Sequence, residues 1–290
     1  MNQAGSQSKN GPAFRPSGGG VGAFVEGIDL AASLSSNEAG ALRSALGEFG
    51  VLFFRDQKLT PDQHLAAAAQ FGEINVNRFF AQVQGYPSIA EVSKEPDQIN
   101  NIGGSWHTDH SYDEIPALGS MLLAREVPPS GGDTLFANMY SAFESLSRGM
   151  QHTLENLRAV HSSRHVFGEK APYRHGRSDL AGRLGNHEAA TQDAVHPVVI
   201  LHPISGRKSL YVNSGFTTQF EGWSVEESAP LLQYLYRHAA QPEFTYRFQW
   251  APGSIALWDN RATWHYALND YPGARRLMHR VTIEGQPLAA

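Results

Sequence analysis

The segment Ser105-Trp-His-Thr-Asp109 brings together residue types that bind metals. His107 and Asp109 are one residue apart, and on an extended strand side chains at i and i+2 share a face, so an imidazole and a carboxylate can converge. A His-x-Asp triplet arises often by chance, and a third donor is needed to give it meaning. The best candidate is His265, in Trp258-Asp-Asn-Arg-Ala-Thr-Trp-His-Tyr266. Two imidazoles and one carboxylate on one face of an octahedral ion leave three positions open, the arrangement of non-heme Fe(II) oxygenases. His107, Asp109 and His265 are therefore the expected metal ligands and catalytic residues.

Two arginines extend the pattern. Arg276 and Arg280 are four residues apart in a C-terminal strand segment, so both guanidinium groups can reach one interior. Leu277, Val281 and Ile283 fall on the opposite face of that strand, which argues against a simply solvated basic surface. A buried cation needs a counter-charge, and arginine is suited to a bidentate grip on a carboxylate. An anionic co-substrate would supply one.

Composition narrows the classes. The 290 residues are 41% apolar and 18% charged, enough for one large core. With no cysteine, disulfides, zinc-thiolate sites, iron-sulfur clusters and thiol nucleophiles are excluded. A formal net charge of −5 lacks the basic excess that nucleic acid or anionic membranes attract, so no partner of either kind is expected. Residues 1–16 are polar, without the apolar stretch of a secretory signal, and read as a disordered leader before one domain over 17–290. The longest apolar runs fall far short of the roughly 20 residues of a membrane span. The protein is expected to be cytoplasmic.

Local signals place the elements that must carry these residues. Ser35 with Glu38, Thr60 with Gln63, Ser141 with Glu144 and Ser224 with Glu227 mark helix starts, and Gly50 marks a helix end. Val51 to Phe54 and Ile255 to Trp258 read as strands. Phe244, Tyr246, Phe248 and Trp250 alternate with period two. Val198 to Leu201 with Ser209 to Val212 reads as a hairpin, and Ala81 to Gly104 as a strand or two joined by an exposed loop. Many short strands with peripheral helices, and no Gly-rich βαβ opening, predict a mainly β jelly roll.

Taken together in order, Leu59-Thr-Pro-Asp-Gln63, Trp106-His-Thr-Asp109, Gly131-Gly-Asp-Thr134, Val212-Asn213, Gly215-Phe-Thr-Thr218, Trp258-Asp-Asn-Arg261, His265-Tyr-Ala267 and Arg275-Arg-Leu-Met-His-Arg280 form a specific set. Through them, from Val21 to Pro287, the chain resembles the taurine and 2,4-dichlorophenoxyacetate dioxygenase (TauD/TfdA) family of Fe(II)/2-oxoglutarate enzymes. The resemblance implies a double-stranded β-helix (jelly-roll, cupin-like) core in which His107, Asp109 and His265 hold Fe(II). It further implies that Arg276 and Thr134 bind the distal carboxylate of 2-oxoglutarate, and that Arg280 binds the acidic group of the prime substrate. Hydroxylation of that substrate, with O2 consumed and succinate and CO2 released, is the implied reaction, followed by cleavage where the hydroxylated carbon bears a heteroatom. Family members are often dimers or tetramers, so a homo-oligomer is expected.

One departure bears on substrate. The taurine enzyme has a histidine, a tyrosine and an asparagine contacting taurine where this chain has Asn77, Phe80 and Gly103. Losing polar contacts and gaining an aromatic points to a larger, more apolar anion, such as an aryloxyalkanoate, alkyl sulfate or larger sulfonate. Asn77, Phe80, Phe216 and Arg280 are the expected substrate contacts, with Phe79, Tyr112 and Phe167 as further wall candidates. Competing readings are a biosynthetic hydroxylase or desaturase of the same superfamily, a metallohydrolase with the same ligands on zinc, and a non-catalytic binding barrel.

Overall fold

The protein is described here as a computed structural model in which residues 11–169, 171, 178–180 and 182–290 are placed. In the first half the strands are β1 (Ala13–Pro16), β2 (Ala23–Glu26), β3 (Val51–Phe54), β4 (Ile74–Asn75), β5 (Gln82–Val83), β6 (Tyr86–Lys94), β7 (Gly119–Glu126) and β8 (Thr134–Asn138). The second half adds β9 (Arg158–Ser162), β10 (Asp193–Pro197), β11 (Val199–Leu201), β12 (Lys208–Leu210), β13 (Thr217–Phe220), β14 (Thr245–Phe248), β15 (Ile255–Asp259), β16 (Thr263–Ala267) and β17 (Arg276–Ile283). Helices are α1 (Ser36–Phe49), α2 (Pro61–Ala69), α3 (Met139–Glu144), α4 (Arg148–Glu155), α5 (Arg164–Phe167) and α6 (Val225–Ala239). Among the described residues no helix is long and apolar enough to cross a membrane.

A large sheet runs β1-β2-β3-β15-β7-β17-β6-β5, with β4 on β17, and faces a smaller sheet ordered β14-β8-β16. This is the jelly-roll core. Its main strands are buried on both sides. Leu52, Phe54, Met121, Leu123, Ile255, Leu257, Val281 and Ile283 pack outward against Leu42 and Leu46 of α1 and Ala67 and Ala68 of α2. The alternating residues Val51, Phe53, Leu122, Ala124, Ala256, Trp258 and Met278 face inward with Phe136 and Phe248 of the smaller sheet. Period-two alternation buried on both faces explains why Val51–Phe54 reads as an unbroken apolar run. Each Val, Leu, Ile, Phe or Met among them contributes about 1.5–3 kcal/mol on burial.

Local chemistry sets the helix ends. Ser35/Glu38, Thr60/Gln63 and Ser224/Glu227 form complete capping boxes. Gly50, at φ 74°, closes α1 by donating its N–H to Leu46, and a Cβ there would stand 2.7 Å from Thr263. The expected start at Ser141 is displaced: Asn138 caps α3, its Oδ1 accepting the amides of Tyr140 and Ser141, so Ser141 lies inside the helix. The aromatic period from Phe244 to Trp250 yields a shorter strand, β14, because Phe244 ends a 3-10 turn. The expected leader is also corrected in part, since Ala13–Pro16 pair antiparallel with β2 as β1.

Candidate metal centre and anion pocket

His265 sits in β16 opposite Phe136 of β8, and the free edge of β16 accepts His107 through a single antiparallel bridge. His107 N donates to His265 O at 3.1 Å and His265 N to His107 O at 2.9 Å, so the two imidazoles leave the same side of the sheet with ring centres 4.0 Å apart. Thr108 ties the same segment down by donating to Thr263 O at 2.9 Å. Extended backbone ends at His107. Asp109 is in the following turn, where His110 takes φ 57°, so the turn rather than a continuous strand aims the carboxylate. Asp109 lies 3.7 Å from His107 Nε2 and 3.6 Å from His265 Nε2. These gaps are too long for direct hydrogen bonds, yet all the ligand atoms lie within 4.8 Å of one another.

The donors are in ligating form. His107 Nδ1 donates to Ser105 O at 2.7 Å, which leaves the Nε2 lone pair facing the cluster. Burial keeps both imidazoles neutral: it lowers His107, and it lowers His265 well below the ordinary histidine value with help from His107. Burial alone would raise Asp109, but the charges facing it, the Arg280 guanidinium first among them, outweigh it and hold the carboxyl well below the usual range. Trp258, with its ring 4.7 Å from that of His265, and Phe136 wall the site against water.

The cluster opens on a cavity of about 710 Å³ whose described lining includes Thr134, Arg276 and Arg280. Arg276 is only 5% exposed; its Nε donates to Gly132 O at 3.0 Å, while its Nη2 is buried without a partner among the described residues. Burial lowers its affinity for a proton, which measures how poorly it is solvated. Gly131 and Gly132 both take left-handed φ, and a Cβ on Gly132 would lie 3.2 Å from Arg276 Cδ, so glycine lets that carbonyl reach the guanidinium. Thr134 Oγ1 accepts from Trp250 Nε1 at 3.0 Å, which leaves its hydroxyl proton free to donate. Arg280 Nη1 reaches both Asp109 oxygens at 3.2 and 3.3 Å, its Nε has no partner among the described residues, and its guanidinium lies 4.5 Å over the ring of Phe80.

The residues expected from sequence thus meet, with two exceptions, Asn77 and Phe79. Phe80, Phe216, Tyr112 and Phe167 line the cavity with Gly103. Asn77 is not among the lining residues: it is 5% exposed and its amide is spent on His110 and on the backbone of Phe79 and Phe80. Phe79 likewise stands behind the wall, stacked on Phe167 at 4.3 Å. Sequence reading missed Ser105, which acts through a backbone carbonyl that any residue possesses. It also missed Trp250, read only as one of an alternating aromatic series, and Trp258, whose packing on His265 no spacing rule reveals.

Residues 13–282 match the family model described as "Taurine catabolism dioxygenase TauD, TfdA family". Among relatives, an alkylsulfatase of Acinetobacter baylyi is 35% identical over 271 residues, covering 92% of this chain and 83% of its own. The alpha-ketoglutarate-dependent 2,4-dichlorophenoxyacetate dioxygenase of Cupriavidus pinatubonensis is 34% identical over 284 residues, covering 90% of this chain and 93% of its own. The crystal structure of a taurine dioxygenase from Burkholderia xenovorans superposes with TM-score 0.78 at 34% identity, covering 96% of this chain and 90% of that one.

Proposed function

The chain belongs to the taurine catabolism dioxygenase TauD, TfdA family, and from that premise we propose a division of labour among its residues. The enzyme is a 2-oxoglutarate-dependent dioxygenase. One substrate C–H bond becomes C–OH while O2 and 2-oxoglutarate are converted, one oxygen atom going to the product and one to succinate, with CO2 released. In this reading His107, Asp109 and His265 hold Fe(II), Arg276 and Thr134 seat the distal carboxylate of 2-oxoglutarate, and Arg280 receives the acidic group of the prime substrate. Phe80 and Phe216 form part of the wall that holds the substrate's body.

When bound, Fe(II) supplies the redox chemistry that couples oxidative decarboxylation of the keto acid to C–H hydroxylation. The protein's part is positional and electrostatic. Neutral imidazoles and an ionised carboxylate offer lone pairs without first releasing protons. Arg280 balances the Asp109 charge and still has an unpartnered Nε. Trp258, Phe136 and the aromatic wall exclude water from around the target carbon.

The observation carrying this reading is the His107–Asp109–His265 cluster opening on the same cavity as a buried Arg276 with an unsatisfied Nη2. A hydrolase would have no use for that second feature, since water needs no carboxylate clamp. The prime substrate is an organic anion with an apolar body, of the aryloxyalkanoate, alkyl sulfate or larger sulfonate type. Taurine itself is disfavoured because Asn77 is turned away from the cavity and Phe80 presents a ring to it.

The test is an anaerobic titration with Fe(II) and 2-oxoglutarate, followed for the weak visible charge-transfer absorption, and then a screen of such anions for succinate release. Absorption that needs both components, and succinate release stimulated by an apolar anion more than by taurine, are expected. A folded protein that gives no absorption overturns the metal and keto-acid assignment; preference for taurine overturns the substrate class.

A further inference from the structure

A chain of contacts joins Asp109 to Arg280 by a route behind the cavity wall. It begins with His110, which follows Asp109 in the chain and is nearly fully buried. His110 Nδ1 donates to Asp113 Oδ2 at 2.9 Å, which makes Nε2 an acceptor, and Asn77 Nδ2 donates to it at 3.2 Å. Asn77 Oδ1 meanwhile accepts the amides of Phe79 at 3.0 Å and Phe80 at 3.2 Å. Two backbone donors on one oxygen fix which way the amide points. From Phe80 the route returns through its ring to the Arg280 guanidinium at 4.5 Å, and Arg280 closes the circuit on Asp109.

The brace is reinforced beside Asn77. Arg78 pairs with Asp113 and lies over the rings of Phe79 at 4.9 Å and Tyr112 at 5.5 Å. Phe79 in turn stacks on Phe167, and Tyr112 meets Phe216 edge to face at 4.8 Å. Phe80 is additionally bridged to Leu184, another lining residue. The elements that set the wall thus converge on the turn that Asn77 organises, although Asn77 itself is absent from the described lining.

We propose that Asn77 is a positioning residue for the prime substrate: by binding the amides of Phe79 and Phe80 and the imidazole of His110, it holds the Phe80 ring against Arg280 and sets where the substrate's acidic group is received. This rests on the reading that Arg280 receives that group. It replaces the expectation of a direct substrate contact at position 77 with an indirect one. A polar side chain confined behind an aromatic wall has no route to substrate except through what it orients. The two ends of the cavity are thereby separable, because the hydrogen bonds of Arg276 and Thr134 run to Gly132 and Trp250, outside this circuit.

The experiment uses the Fe(II)-loaded full chain with 2,4-dichlorophenoxyacetate and hexyl sulfate as probes, comparing Asn77→Ala, Asn77→Asp, Phe80→Leu and Asn77→Ala/Phe80→Leu. Asn77→Ala is expected to raise KM for the responsive anion about tenfold, while KM for the keto-acid co-substrate moves less than about twofold. Asn77→Asp, which keeps the acceptor for both amides but loses the donor to His110, recovers only part of that loss. In the Phe80→Leu background Asn77→Ala adds less than about a further twofold, since the two act in series.

A second measurement needs no substrate. The melting-temperature changes of Asn77→Ala and Arg280→Met are expected to be non-additive in the double variant, although the residues do not touch. Additive changes there, or equal rises in both KM values, overturn the proposal. If neither probe stimulates the wild-type protein, the choice of substrate class falls, and the stability cycle still decides the role of Asn77.

Discussion

Arg276→Met removes a cation that the fold buries before any anion arrives, and its effects on the free and liganded protein should have opposite signs. Without a ligand the guanidinium makes one hydrogen bond to Gly132, leaves Nη2 unsatisfied and is 5% exposed. Replacing a poorly compensated buried charge with an apolar chain of similar length is commonly neutral or stabilising, so the unliganded melting temperature should hold or rise. With 2-oxoglutarate present the loss is that of charge-assisted hydrogen bonds, about 1.5–3 kcal/mol, or about a tenfold to 150-fold weaker affinity. At a concentration one hundred times the wild-type Kd, ligand binding stabilises by about 2.7 kcal/mol, and a hundredfold weakening cuts this to about 0.4 kcal/mol. At about 2–4 °C per kcal/mol, the ligand-induced rise in melting temperature falls from about 5–10 °C to about 1–2 °C. Thermal melts under anaerobic Fe(II), with and without 2-oxoglutarate, read both numbers. A variant that loses several degrees when unliganded yet keeps the full ligand-induced rise would show that Arg276 is a structural residue and refute the assignment.

Two other perturbations probe the centre and the fold. Asp109→Ala should abolish the charge-transfer absorption and also destabilise the metal-free protein by about 3–5 kcal/mol, because it strands the buried Arg280; stability equal to wild type after chelation would contradict the ion pair. His64, buried in α2 and bonded to Met121 O, is pushed by burial from 6.5 to about 3. The folded state therefore prefers neutral His64 while the unfolded chain takes up the proton first. Its contribution is complete above pH 6.5 and is lost as pH falls from there toward 3, to an upper bound of about 5 kcal/mol. His64→Gln should flatten the acid limb of the melting-temperature profile in that window, and an unchanged slope would assign acid sensitivity to other groups.

Local signals in the sequence were sound where the structure they describe is itself local. The capping boxes at Ser35, Thr60 and Ser224 need only residues within one turn, and all three form. The start read at Ser141 failed because the end of β8, held by pairing with β14 and β16, delivers Asn138 to the cap position first. The metal ligands were legible because few residue types bind metals and His-x-Asp is a short-range pattern. Strand parity accounts for only half of their convergence, since His107 is extended but Asp109 is aimed by a turn containing left-handed His110.

What the sequence determined by itself was the kind of chemistry: two imidazoles, a carboxylate and two arginines in a cysteine-free chain, on strands whose period-two alternation gives them an inward face. Which of those groups are satisfied was decided by tertiary structure. Arg280 lies on Asp109, Arg276 keeps a nitrogen without a partner, and Asn77, expected at the substrate, faces the other way. Side-chain parity along a strand states only which face a residue takes. The partners that Arg276 and Arg280 find there stand 144 and 171 positions away in the chain, brought close by sheet register and close packing, and nothing in a local pattern encodes that distance.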